Sequence, residues 1–141
     1  MSATNNDNRF DLDLAFANKQ EGEVLEMFNN SKIEVKSERG RWTQSGNIAI
    51  EYFCRGKPSG INVTEADYWF HNLTVYGETL CTLVFPVDKL KQILPLMECK
   101  SVNAGDKDGG TVGVAKCHLL NISKLFSTTN LKKLRASIFN R

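Results

Sequence analysis

The sequence predicts an α/β (α+β) fold, a single domain with a central mixed β-sheet flanked by helices. Two-residue alternation at residues 32–38 and 47–54 predicts strands, and 3.6-residue spacing at residues 20–30, 86–95 and 131–138 predicts helices. The resulting order is helix, several strands, helix, strand, helix, which suits a mixed sheet. With 141 residues, 41% hydrophobic and 24% charged, the composition is that of a globular chain. Such a length buries roughly 68% of the unfolded surface, enough for one core. No block repeats at a fixed period and no heptad run appears, which disfavours a solenoid or a coiled coil. No apolar stretch reaches about 18 residues, and the polar start lacks the apolar core of a secretory signal. The expectation is a protein of the cytoplasm.

Residues 1–9 are polar and expected to be a flexible terminus preceding a domain at 10–141. Phe10-Asp11-Leu12-Asp13-Leu14 alternates with period two and predicts a short strand. In the helix over 20–30, Val24, Leu25 and Phe28 share a side, with Glu21, Glu23 and Glu26 early, where the helix dipole favours acids. The strand at 32–38 sets Ile33 and Val35 against Glu34, Lys36 and Glu38. Residues 39–46 read as a turn. The strand at 47–54 places Ile48, Ile50, Tyr52 and Cys54 opposite Ala49, Glu51 and Phe53.

Residues 55–60 are dense in turn formers. Two strands, 66–73 and 78–85, flank Tyr76-Gly77, and Tyr68, Trp69, Phe70 and Tyr76 are expected to fill a sheet interior. Pro86 can open a helix with Val87, Leu90, Ile93 and Leu94 inward, stopped by Pro95. Residues 103–110, with three glycines and two aspartates, read as a loop, and 111–120 as the last strand. A cap at 127–130 opens a basic helix with Leu131, Leu134 and Ile138 as its stripe.

Charge is graded along the chain. Residues 1–34 hold seven acids and three bases, 35–108 nine of each, and 109–141 six bases and no acid. A one-signed basic tail attracts polyanions, though a solvated basic face has the same composition. The four cysteines form no CxxC pair and no zinc pattern with His71 and His118, so they read as reduced structural thiols. The two histidines are isolated in the sequence, which favours a satisfied or exposed ring over a general base.

The segment Ile33-Glu34-Val35-Lys36-Ser37-Glu38 carries the chemical signal. Alternation puts Glu34, Lys36 and Glu38 on one strand face, about 7 Å apart in succession. The next strand offers Glu51 and the preceding helix Glu23. Carboxylates converging beside an ammonium suit Mg2+ or Mn2+, hard ions that take oxygen ligands. A bound ion would acidify a water and offset charge on a phosphodiester. Glu23, Glu34, Glu38 and Glu51 are the candidate ligands, and Glu34, Lys36 and Glu51 the candidate catalytic centre. The competing reading is a solvated strand face with cross-strand charge pairs.

The run from Gly22-Glu23 through Ile33-Glu34-Val35-Lys36 to Gly46-Asn47-Ile48-Ala49-Ile50-Glu51 resembles the PD-(D/E)XK nuclease superfamily. Its downstream stretch, Lys57-Pro58-Ser59-Gly60-Ile61 to Ala66-Asp67-Tyr68-Trp69, resembles small bacteriophage-encoded members. The resemblance implies a restriction-endonuclease-like fold and Mg2+- or Mn2+-dependent hydrolysis of DNA in an infected bacterial host. Glu34 and Lys36 match the acid-x-lysine pair and Glu23 the helix glutamate. Asp11 and Asp13 precede the helix, which departs from the family order. An alternative register makes Glu34 or Glu38 the first acid and Glu51 the second. Phe53 then stands at the lysine position, and Lys36 would supply the amine. A nuclease-fold accessory protein without catalysis, binding nucleic acid or blocking a host protein, is the alternative.

For the DNA backbone the candidates are Arg41, beside Trp42, then Arg55 and Lys57 in the glycine-rich loop, and Lys132, Lys133 and Arg135 on the last helix. Trp42 reads more readily as cover for a core edge than as a stacking contact. A homodimer formed through exposed aromatic strands is a further expectation.

Overall fold

The computed structural model describes residues 2–104 and 115–139, with side chains from Arg9 onward. The chain falls into two compact units, one through Lys32 and one from Ile33. The first is a single helix, α1 (Ser2–Asn30). It takes up both the segment expected to be flexible and the strand expected at residues 10–14. Five alternating residues lose to their surroundings, because this stretch is proline-free and runs on without a break into the helical spacing of Val24, Leu25 and Phe28. Near its C-terminal end, Asn30 Nδ2 donates to Glu26 Oε1 at 2.7 Å.

The second unit is mixed α+β, with its strands divided between two sheets instead of one central sheet. In the three-stranded mixed sheet, β1 (Ile33–Glu38) pairs in parallel with β4 (Tyr68–Val75). β5 (Glu78–Pro86) runs antiparallel to β4 on its other side. The four-stranded antiparallel sheet has the order β3 (Lys57–Pro58), β2 (Asn47–Cys54), β7 (Ala115–Asn121), β6 (Lys100–Ala104). Two tight hairpins use paired left-handed residues, Arg55-Gly56 at φ 52° and 76° and Tyr76-Gly77 at φ 52° and 80°. That pairing matches the twist of the flanking strands. β2 bulges between Glu51 and Phe53, so the simple inward-outward alternation expected across Tyr52 is interrupted there.

In the second unit, helices cover one continuous core. α3 (Val87–Leu96) buries Val87, Leu90, Ile93 and Leu94, the four predicted positions. Pro95 does not stop α3 but lies inside its final turn, where few downstream bonds depend on it. α2 (Trp42–Ser45) occupies the predicted turn and closes on Gly46 in the left-handed conformation. Trp42 packs against the core and donates through Nε1 to Thr74 O at 2.8 Å. α4 (Ile122–Leu125) and β6 are additions to the expected elements. Ser127 caps α5 (Thr128–Phe139), accepting from Asn130 N at 3.3 Å, and Leu134 of the stripe is buried. Ile48, Ile50, Ile61, Trp69, Leu90 and Leu120 form the fully enclosed centre. No helix among the described residues is long and apolar enough to cross a membrane. The expected loop at 103–110 falls outside the described residues beyond Ala104, as does the start of the last strand at 111–114.

Candidate functional site

β1 is turned opposite to its hydropathy. Val35 is 55% exposed, whereas Glu34, Lys36 and Glu38 form the half-buried side. Desolvating three charges is unfavourable unless each finds partners, and each does. Lys36 Nζ lies 3.0 Å from Glu34 Oε1 and 5.8 Å from the centre of the Trp69 ring. The Thr64 hydroxyl, carried in by the segment after the 3-10 turn Gly60–Asn62, donates to Glu34 Oε2. Burial alone would raise the Glu34 pKa. The Thr64 hydroxyl, then the hydrogen bond and charge of Lys36, outweigh it and hold the carboxyl below its ordinary value. Glu34 is therefore an anion at neutral pH beside an ammonium that is 42% exposed.

Glu38 has a different task. Its Oε1 accepts from the Ala49 amide of β2 at 2.6 Å and from His71 Nε2 of β4 at 2.8 Å. His71 is 1% exposed, and its Nδ1 accepts from Trp69 Nε1 at 3.0 Å. An indole nitrogen can only donate, so Nδ1 carries no proton and Nε2–H points at the carboxylate. This Trp69–His71–Glu38 chain ties the mixed sheet to the antiparallel one. His71 is thus the satisfied core histidine that its isolation in the sequence suggested.

Glu51 sits on β2 opposite Cys117 of β7. Cys117 is raised to about 11, first by burial, then by the charges of Glu51 and Glu38, with Cys54 adding to them. Both carboxylates therefore act on one buried thiol, while Glu34 is engaged with Lys36 and Thr64. Gly60 lies directly against this strand. A Cβ there would stand 2.1 Å from Glu51 O, and its φ of +50° already favours glycine. Glu23 belongs to α1, where it pairs with Lys19 at 3.9 Å. Among the described residues no group of three or more His, Cys, Asp or Glu side chains is arranged to hold a metal ion. The four-carboxylate cluster expected from the sequence is thus not assembled as a ligand cage by the described residues.

The basic candidates are spread over several elements. Arg41 is exposed at the start of α2, and Arg55 and Lys57 are exposed on the β2–β3 hairpin. Lys132 and Arg135 are exposed on α5. Lys133 is also exposed, but its Nζ donates to Leu96 O at 3.0 Å, serving the open carbonyl end of α3. Tyr76, expected inside the sheet, is fully exposed at its hairpin tip. Thr64 and His71 are the site partners that pattern reading missed. An acid's hydroxyl or imidazole partner 30 or 33 residues away carries no local periodic signal.

A cavity of about 440 Å³ with a mixed lining brings Cys99 and His118 to one surface. Burial raises the Cys99 thiol and lowers the His118 imidazole, the reverse of what a thiolate–imidazolium pair needs. Compared with protein-family models, curated proteins and solved structures, the chain matches none.

Proposed function

We propose that the chain hydrolyses phosphodiester bonds of DNA at the Glu34–Lys36–Thr64 cluster, as a nuclease of PD-(D/E)XK type. The observation that carries this reading is the 3.0 Å pairing of an ionised carboxylate with a half-exposed ammonium on the inward side of β1. Lys36 is a mobile point charge suited to a non-bridging phosphate oxygen. Glu34, fixed by Thr64, can orient a water beside that phosphate. In this reading Mg2+ or Mn2+ would take Glu34 as a carboxylate ligand in place of its bond to Lys36 or Thr64, with Glu51 as the second acid. Hard ions of this class are often held by one or two carboxylates plus substrate phosphates. Such an ion, when bound, supplies charge neutralisation and an acidified water. Lys132 and Arg135, exposed on α5, would hold the backbone without reading sequence.

Supercoiled, linear and branched DNA incubated with Mg2+ or Mn2+ test the proposal. Cleavage is expected, with Glu34→Gln and Lys36→Ala each slowing it by about 100-fold or more at unchanged circular dichroism. No cleavage of any substrate, or full cleavage by both variants, rejects it. A second reading, a nuclease-fold accessory protein that binds nucleic acid without cutting, is favoured by the missing three-ligand group among the described residues. Salt-dependent binding without cleavage selects that reading.

A further inference from the structure

Immediately beyond Glu38 the chain leaves β1 and forms, with the tip of the β4–β5 hairpin, a cleft of about 570 Å³. Arg39, Thr43, Gln44, Thr74 and Tyr76 line it. Thr43 Oγ1 donates to Gly40 O at 2.7 Å and Thr74 Oγ1 to Glu38 O at 2.5 Å, so both hydroxyls serve the walls. Trp42 Nε1 fixes one wall to the other through Thr74 O. The exposed heads are the Arg39 guanidinium, the Gln44 amide and the Tyr76 ring.

Tyr76 is the anomaly. It is 101% exposed, so its ring packs no core. It also occupies φ +52°, a conformation that suits Gly, Asn or Asp and is strained for a bulky side chain. An aromatic kept where it neither packs nor suits the backbone, on the rim of a cleft that a cation and an amide also line, is what a base-stacking position requires.

We propose that this cleft binds single-stranded DNA, with Tyr76 stacking on an unpaired base and Arg39 pairing with its phosphate. The inference deepens the nuclease proposal and rests on its nucleic-acid reading. It makes single-stranded or frayed DNA the preferred substrate class. Arg39 is five residues along the chain from Glu34, about 17 Å if extended, or about five nucleotides at stacked spacing.

Fluorescence anisotropy of a labelled oligothymidylate, in EDTA so that nothing is cut, tests this. The oligonucleotide should bind more tightly than a duplex or an abasic strand of equal length. Tyr76→Ala should weaken binding by about 5- to 150-fold, and Tyr76→Trp should retain it. Arg39→Gln should lower the salt slope by about 0.7. Tyr76→Asn relieves the turn, so its thermal midpoint should equal or exceed that of the unchanged protein while its binding falls as for Tyr76→Ala. Equal binding of the abasic strand, or wild-type binding by both Tyr76→Ala and Tyr76→Asn, overturns the proposal. Binding as expected with no cleavage under Mg2+ overturns the nuclease reading alone. Cleavage that persists while the Tyr76 variants bind normally overturns this one alone.

Discussion

Replacing Glu38 with alanine should be among the more damaging single changes on β1. The carboxylate is 19% exposed and its His71 partner 1%. Two N–H groups, those of Ala49 and His71, converge on its Oε1. Losing a charge-assisted bond to a buried ring costs about 1.5–3 kcal/mol, and the half-buried Ala49 amide adds about 1. Glu38→Ala should therefore cost about 2.5–4 kcal/mol, whereas Glu38→Gln keeps a carbonyl acceptor and should cost about 1–1.5. Guanidinium unfolding at neutral pH, followed by circular dichroism, reads both as shifts in midpoint at constant slope. Nitrogen NMR of the imidazole should find His71 protonated at Nε2, because Trp69 leaves Nδ1 no room for a proton. An alanine variant within about 1 kcal/mol of the unchanged protein would refute the reasoning. So would equal losses for alanine and glutamine.

Gly60→Ala should cost about 2–5 kcal/mol, since it adds left-handed strain and drives a Cβ into the Glu51 backbone; the same denaturant titration checks it. Glu34, depressed when folded, stabilises the native state above its ordinary value of 4.5, and that contribution fades as pH falls through its lower folded value. Unfolding midpoints measured across that acid range should accordingly depend less on pH in Glu34→Gln. Cys117, held protonated to about 11, should resist a thiol-specific disulfide reagent at mildly alkaline pH while exposed Cys81 reacts. Its contribution to stability should decline as pH rises from 9 towards 11. The double variant Glu34→Met, Lys36→Met should be as stable as the unchanged protein or up to about 2 kcal/mol more stable, yet lack DNA cleavage; thermal unfolding and a nicking assay measure the two halves.

The parts legible in the sequence are those governed by neighbours. β2 begins and ends where its alternation does, at Asn47 and Cys54, and β1 matches its expected span to within one residue. Gly77 marked the turn between β4 and β5, although Tyr76 was expected inside the sheet, and the spacing of α3 identified its four buried residues. Other features depend on distant atoms. Period two tells which residues of β1 share a face but not which face points inward. Val35 lost the interior because Thr64, His71 and the Ala49 amide wait there for charged partners. At residues 10–14 the error was one of window, since five alternating residues cannot outweigh a helix of 29. The acid–lysine pair was visible in the sequence, whereas its hydroxyl partner Thr64 emerged only on folding.

The three charged residues of β1 divide their work. Glu38 receives two backbone and ring donors and joins the sheets, so its charge is consumed by architecture. Glu34 and Lys36 lie opposite Trp69 and His71 in the parallel register, a position where aliphatic side chains would cover the indole more favourably. Ion pairs taken partly out of water seldom stabilise a fold more than well-packed apolar residues of similar volume. Stability alone therefore gives no reason for a carboxylate and an amine to occupy this site. Local choices that conflict with packing are expected where chemistry, not folding, sets the residue. On β1 that conflict is confined to Glu34 and Lys36, the pair on which the proposed phosphodiester chemistry rests.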